Sequence, residues 1–184
     1  MSTVPARHSG ELVVSGDILY EVIDGQIEEK VIGSYETGIA SVLIRVLAPF
    51  ASTNRLGQVF SEMLFRINIA KDLQRRPDLA FVSHARWPYN RRPPRGSFWD
   101  MVPDLAIEVV SPTNSAFQVQ KKIHSYFEAG VVQVWVIYPD EKEVYVYASP
   151  TRITVLQVGQ DIEGGDLLPG FRLPVANLFE DDPE

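Results

Sequence analysis

The chain contains no cysteine. That excludes a disulfide framework, a thiolate nucleophile and a cysteine-ligated zinc site. Histidine is nearly as scarce: His8 stands near the N-terminus, His84 in a loop and His124 on the polar side of a helix. Without ligand spacing they make no metal centre. No stretch holds the roughly 20 apolar residues that a membrane span needs. The opening "MSTVPARHSGE" lacks the apolar core of a signal peptide. A cytoplasmic protein with no membrane association is the expectation. Positive charge is in deficit, with a net charge of -7. This disfavours general adhesion to nucleic acid or anionic lipid but leaves room for a local basic patch. Gly164-Gly165 is a turn rather than a phosphate loop, because no helix opening with Lys and Ser/Thr follows it.

What is present suffices for one domain with a real core, since the chain has 184 residues and no linker-like shift in composition. Residues 1–15 read as a flexible arm and 16–184 as a single domain. "DILYEVIDGQIEEKVI" places two extended runs around Asp24-Gly25, a hairpin signal. In "SYETGIASVLIRVLAPF" the residues Ile39, Val42, Leu43, Val46, Leu47 and Phe50 share a helical face. Ser34 is the expected N-cap, and Pro49 lies near the expected helix end. "GQVFSEMLFRINI" and "PDLAFVS" read as strands, and a long irregular loop, "SHARWPYNRRPPRGSFWDM", precedes a strand over Asp104–Val110. A second helix fits "SAFQVQKKIHSYFEAG", with Gly130 as its stop. The strands "VQVWVIYP", "EVYVYAS" and "RITVLQV" follow. This order predicts an α/β (α+β) sandwich, a mixed central β-sheet flanked by helices, with a right-handed βαβ unit after Asp104.

The strand "VPDLAIEVVSP" raises a physical problem. A buried, ionised carboxylate costs several kcal/mol unless something positive compensates it. Alternation puts Asp104, Ala106, Glu108 and Val110 on one face. Asp104 and Glu108 are then roughly 13 Å apart, too far to share one ion. Asp78, at the start of "PDLAFVS", is the natural acidic partner for Glu108. Lys122 lies on the apolar stripe of its helix, whereas Lys121 points away. From Ser115, Lys122 is about 10 Å down its helix, and Glu108 is about 7 Å below the end of its strand. The two heads reach similar heights. From spacing alone, two readings stay open: an ion pair that fixes the helix on the sheet, and a catalytic site.

"YEVIDGQI", "RRPDLAFVS", "PDLAIEVVSPTNS", "KKIHSYFEAGVVQVWVIYPDEKEVYVY" and "LLPGFRLPVANLF" occur in that order. Together they resemble the Uma-type restriction endonuclease family, a branch of the PD-(D/E)XK nuclease superfamily, from about Gly16 onward. The resemblance implies a restriction-endonuclease-like sandwich and Mg²⁺- or Mn²⁺-dependent hydrolysis of phosphodiesters. It matches Asp78 and Glu108 to the two acidic positions. Two residues beyond Glu108 the superfamily pattern has lysine, and here Val110 stands instead. Lys122, on the following helix, matches the displaced lysine. Glu36 matches an additional acidic residue, although a first-turn glutamate also suits the helix dipole.

On that resemblance, Asp78, Glu108 and the Val109 carbonyl hold the ion, and Lys122 assists the attacking water or the phosphate. The implied partners are nucleic acid, DNA in particular, and a second copy of the chain. Arg86, Arg91, Arg92 and Arg95, interleaved with Trp87, Tyr89, Phe98 and Trp99, make the long loop a candidate nucleic-acid contact. The same loop could serve as a dimer arm. Two further readings remain: a nuclease fold without activity that binds nucleic acid or protein, and a structural homodimer.

Overall fold

The computed structural model describes residues 18–180, so the arm expected over residues 1–15 lies outside the described residues. β1 (Tyr20–Ile23) and β2 (Gln26–Glu29) form the expected hairpin. Its two turn residues, Asp24 and Gly25, both have positive φ, 51° and 75°. That conformation matches the twist of the flanking strands.

α1 (Ser34–Thr53) starts one residue earlier in its capping than expected: Gly33 is the N-cap and Ser34 the first helical residue. Pro49 lies near the helix end, as expected, and the helix runs about one turn beyond it. The proline removes its own N–H, but the last turn is held by fully buried Ala51 and by Phe50, whose ring meets Phe171 edge-on at 5.2 Å. β3 (Gly57–Ser61), β4 (Phe65–Asn68), β5 (Leu73–Arg75) and β6 (Leu79–Ser83) follow. Then come β7 (Leu105–Val109), α2 (Ala116–Ala129), β8 (Gln133–Tyr138), β9 (Glu143–Ser149) and β10 (Arg152–Gln157). β11 (Asp161–Glu163), β12 (Arg172–Pro174) and a short 3₁₀ turn complete the described chain.

The central sheet runs β10-β9-β8-β7-β6-β3. Only β7 and β8 are parallel, joined through α2; the other neighbours are antiparallel. A second sheet, β2-β1-β5-β4, packs on the α2 side. The alternation of side chains along β7 builds two cores. Leu105, Ile107 and Val109 meet Leu43 and Leu47 of α1. Ala106 meets Val119, Ile123 and Tyr126 of α2. Glu108 shares the α2 face, as period-two alternation requires.

α2 is locally well specified. Ser115 and Gln118 form a reciprocal capping box, and Gly130 adopts the left-handed conformation (φ 96°) that terminates it. Among the described residues no helix is long and apolar enough to cross a membrane.

Candidate active site

Glu108 projects from β7 beneath α2 and is 7% exposed. Two groups one helical turn apart on α2 hold it. Lys122 Nζ donates to Oε2 at 3.0 Å, and the Tyr126 hydroxyl donates to Oε1 at 2.6 Å. Asp78 sits immediately before β6, which pairs antiparallel with β7. Its Oδ2 accepts the Val109 N–H at 2.6 Å, which sets the two carboxylates side by side at one end of the sheet. Asp78 Oδ1 is 2.8 Å from Lys30 Nζ.

Residues without any pattern signal complete the network. Lys30, just after β2, also lies 2.8 Å from Glu62 Oε2 and donates to the Arg76 carbonyl at 2.8 Å. Glu21 of β1 approaches Lys122 Nζ at 3.5 Å and accepts from Arg75 Nη1 at 2.8 Å. Glu62 stands where β3 leaves the central sheet for β4 of the other, with φ at 51°. Nothing in a local sequence pattern marks that switch. Tyr126 is legible in the sequence only as a stripe residue; its hydroxyl partner depends on the sheet beneath.

Burial and charge set the ionisation of these groups. Burial, and then the charge of Asp78, raises the Glu108 carboxyl against the pull of Lys122. Burial opposes the charged form of Lys122, but Glu108 and Glu21 outweigh it and raise its pKa. Lys30 behaves likewise: burial is outweighed by Asp78, Glu108 and Glu62. Glu21 is lowered, because Lys122 and Arg75 overcome its burial. Both lysines are therefore firmly ammonium at neutral pH.

Asp78, Glu108, Val109, Lys122 and Glu36 all line one open cleft of about 650 Å³. Glu36 folds its carboxylate back over Gly33, so closely that a Cβ there would lie 1.9 Å from Oε2. The loop arginines do not join them. The loop leaves β6 and returns to β7 at the opposite end of the sheet, and none of its residues lines the cleft. Arg86 latches the loop: it donates to Asp104 Oδ1 at 2.6 Å, to the Val102 carbonyl and to the Gly130 carbonyl. Arg91 stacks on Trp87 with its guanidinium carbon 4.4 Å from the ring centre. Arg92 and Arg95 are exposed. Trp99 is 2% exposed and packs against Phe60, Phe65 and Trp87 in the second core, whereas Tyr89 is exposed.

Among the described residues no group of three or more His, Cys, Asp or Glu side chains is spaced to hold a metal ion. Yet the donor chemistry suits a hard divalent cation, which prefers oxygen ligands. Two neighbouring carboxylates face the cleft with Val109, and a cation would oppose both the burial and the Asp78 repulsion that raise Glu108.

A mixed sheet carrying paired carboxylates at one strand end, with helices on both faces, is a nuclease-like fold. The structure superimposes on the crystal structure of a protein described as a putative nuclease of the DUF820 group from Anabaena variabilis, with a TM-score of 0.78 and 23% identity. The match covers 91% of this chain and 93% of that one. The family Uma2, described as "Putative restriction endonuclease", matches residues 11–176, and the chain belongs to it. Among curated proteins none matches.

Proposed function

We propose that the protein is a metal-dependent nuclease that hydrolyses phosphodiester bonds in DNA. The observation that carries this reading is the convergence of Asp78, Glu108 and Lys122 on one open cleft. Asp78, Glu108 and the Val109 carbonyl would hold Mg²⁺ or Mn²⁺. Such an ion supplies Lewis-acid polarisation of the phosphate and a water of lowered pKa.

Lys122 has a defined part in this reading. Its raised pKa keeps it protonated, so it cannot take the proton of the attacking water. It donates hydrogen bonds instead, to the phosphate oxygens or to the water, and offsets negative charge that grows in the transition state. Tyr126 and Glu21 hold the carboxylate and the ammonium in register. The Val110 departure has a spatial explanation: α2 delivers the ammonium to Glu108 from above the sheet.

The competing reading, a nuclease fold that binds nucleic acid or protein without cleaving, draws on one observation. The acids Glu21, Glu62, Asp78 and Glu108 are already matched by Lys30, Arg75, Arg76 and Lys122. Cleavage of single-stranded and duplex DNA with Mg²⁺ or Mn²⁺, beside Glu108→Gln, separates the two. Metal-dependent cleavage lost in the variant is the expected result. Retention of cleavage by Glu108→Gln would remove the assignment.

A further inference from the structure

We propose that Lys30 is a built-in cation standing where a second divalent ion would bind, so that the site takes one metal ion and not two. The proposal rests on the nuclease reading above. The Lys30 ammonium sits among three oxygens, Asp78 Oδ1, Glu62 Oε2 and the Arg76 carbonyl, each at 2.8 Å. An ammonium has three hydrogens, and each has an oxygen here. Two carboxylates and a backbone carbonyl are also the donor set of a hard cation site. In two-metal phosphodiester sites the ions lie about 3.5–4 Å apart and act together on the attacking and leaving oxygens. Asp78 has the position for such sharing, since it stands between Lys30 and the Glu108 end of β7.

The cage is built rather than incidental. The Lys30 side chain is only 9% exposed, and its backbone N–H is tied to the Leu19 carbonyl at 2.8 Å. Glu62 holds a left-handed φ of 51°, which a non-glycine residue seldom adopts. The Glu62 N–H donates to the Asp78 carbonyl at 3.2 Å, and the Glu62 carbonyl accepts from the Arg76 guanidinium. Backbone strain of this kind persists where the surroundings over-determine it. An ammonium differs from a divalent ion in two ways: it carries one charge fewer, and it cannot dissociate. Lys30 therefore keeps Asp78 fixed at every metal concentration, and the exchangeable ion is left on the Glu108 side.

The test counts Mn²⁺ bound per folded chain, by calorimetry and by the loss of the free-ion paramagnetic resonance signal. The wild type is expected to bind one ion and Lys30→Ala two. The double variant Lys30→Ala/Glu62→Gln, which dismantles the cage, is expected to return to one. A wild type that binds two ions overturns the proposal without any variant. Equal counts in wild type and Lys30→Ala also overturn it. If Lys30→Ala unfolds, Mn²⁺ should refold it by supplying the missing charge, as read by circular dichroism, and failure to refold it overturns the proposal. A wild type that binds none while Lys30→Ala binds one would sink the metal-dependent nuclease reading and leave the cage standing. No ion in either protein sinks both.

Discussion

The tetrapeptide Pro-Asp-Leu-Ala occurs twice, at 77–80 and at 103–106, and the fold sets the two copies against each other. β6 and β7 are antiparallel, with Ala80 opposite Ala106, Leu79 opposite Ile107 and Phe81 opposite Leu105. A local two-fold axis therefore passes between the alanines and relates Asp78 to Asp104. Each aspartate accepts an N–H from the end of the other strand: Asp78 from Val109 at 2.6 Å, Asp104 from Ser83 at 2.7 Å. Each is 6% exposed. The same residues in the same geometry nevertheless do different work. Around Asp104 the axis places Val82 where Asp78 has Glu108 as a neighbour. The remaining oxygen of Asp104 goes to Arg86, which closes the loop over that end. Around Asp78 the second carboxylate, two lysines and an open cleft remain. A buried aspartate at a strand end is thus a latch or a candidate ligand according to the second acid and the access it is given.

Breaking the Asp78 end should have the largest effect. Glu108→Gln and Lys122→Met are each expected to lower DNA cleavage by about 10²–10³-fold, the scale of losing one preorganised charge-stabilising group. The mirror change Asp104→Asn should leave cleavage within about twofold. Parallel cleavage assays check the contrast, and an equal loss at both ends would erase it.

Next in size is the response to metal. An ion that binds only the folded chain stabilises it by about 2.7 kcal/mol at a hundredfold excess over its dissociation constant. Mn²⁺ is therefore expected to raise the melting temperature of the wild type and of Asp104→Asn, but not of Glu108→Gln. Thermal melts with and without Mn²⁺ provide the measurement.

Asp104→Ala should act on stability instead. It strips the Ser83 N–H and the Arg86 guanidinium of their acceptor. Leaving such groups unsatisfied costs about 1–3 kcal/mol, and the exposure of Arg86 favours the lower end. Urea unfolding would show it, with no loss of metal binding.

The smallest effects belong to the exposed loop arginines and to Glu62. Arg92→Ala/Arg95→Ala should flatten the dependence of log affinity on log salt by about 0.9 for each duplex phosphate that these arginines neutralise, without changing the turnover of bound DNA. Burial pushes the Glu62 carboxyl up to about 7 from an ordinary 4.5, against the pull of Lys30. A proton on Glu62 then favours the folded chain. That contribution is complete below about pH 4.5 and is lost as pH rises through about 7. Wild type should accordingly lose stability relative to Glu62→Gln between about pH 4.5 and pH 7, a slope that urea melts at several pH values would resolve.

The two ends of the sheet also differ in how much of each is legible in the sequence. Strand alternation separates Glu108 from Leu105 and Ile107, and helical phase puts Lys122 rather than Lys121 over the sheet, because both depend on short, regular periods. Lys30, Glu21, Glu62 and Arg75 carry no such signal, since their places are set by a second sheet whose β5 is three residues long and by a chain switch at Glu62. The signal at Pro49 places the end of α1 only to within a turn, because tertiary packing of Phe50 and Ala51 outweighs one missing hydrogen bond and carries the helix to Thr53. The loop is legible only in part. Arginines and aromatics at intervals resemble a nucleic-acid surface, yet Arg86 and Trp99 are consumed in holding the loop to β4 and to the start of β7.

The pairing of Glu108 with Lys122 also bears on how reliably the sheet aligns as the chain folds. A strand that slips by one residue turns every side chain to the opposite face. The apolar residues of β7 would tolerate such a slip, because both faces of the strand meet apolar cores. Glu108 would not: it would be driven among Leu43 and Leu47 of α1, where no cation waits, at a cost of several kcal/mol. One charged residue thus makes the misaligned sheet the unstable one.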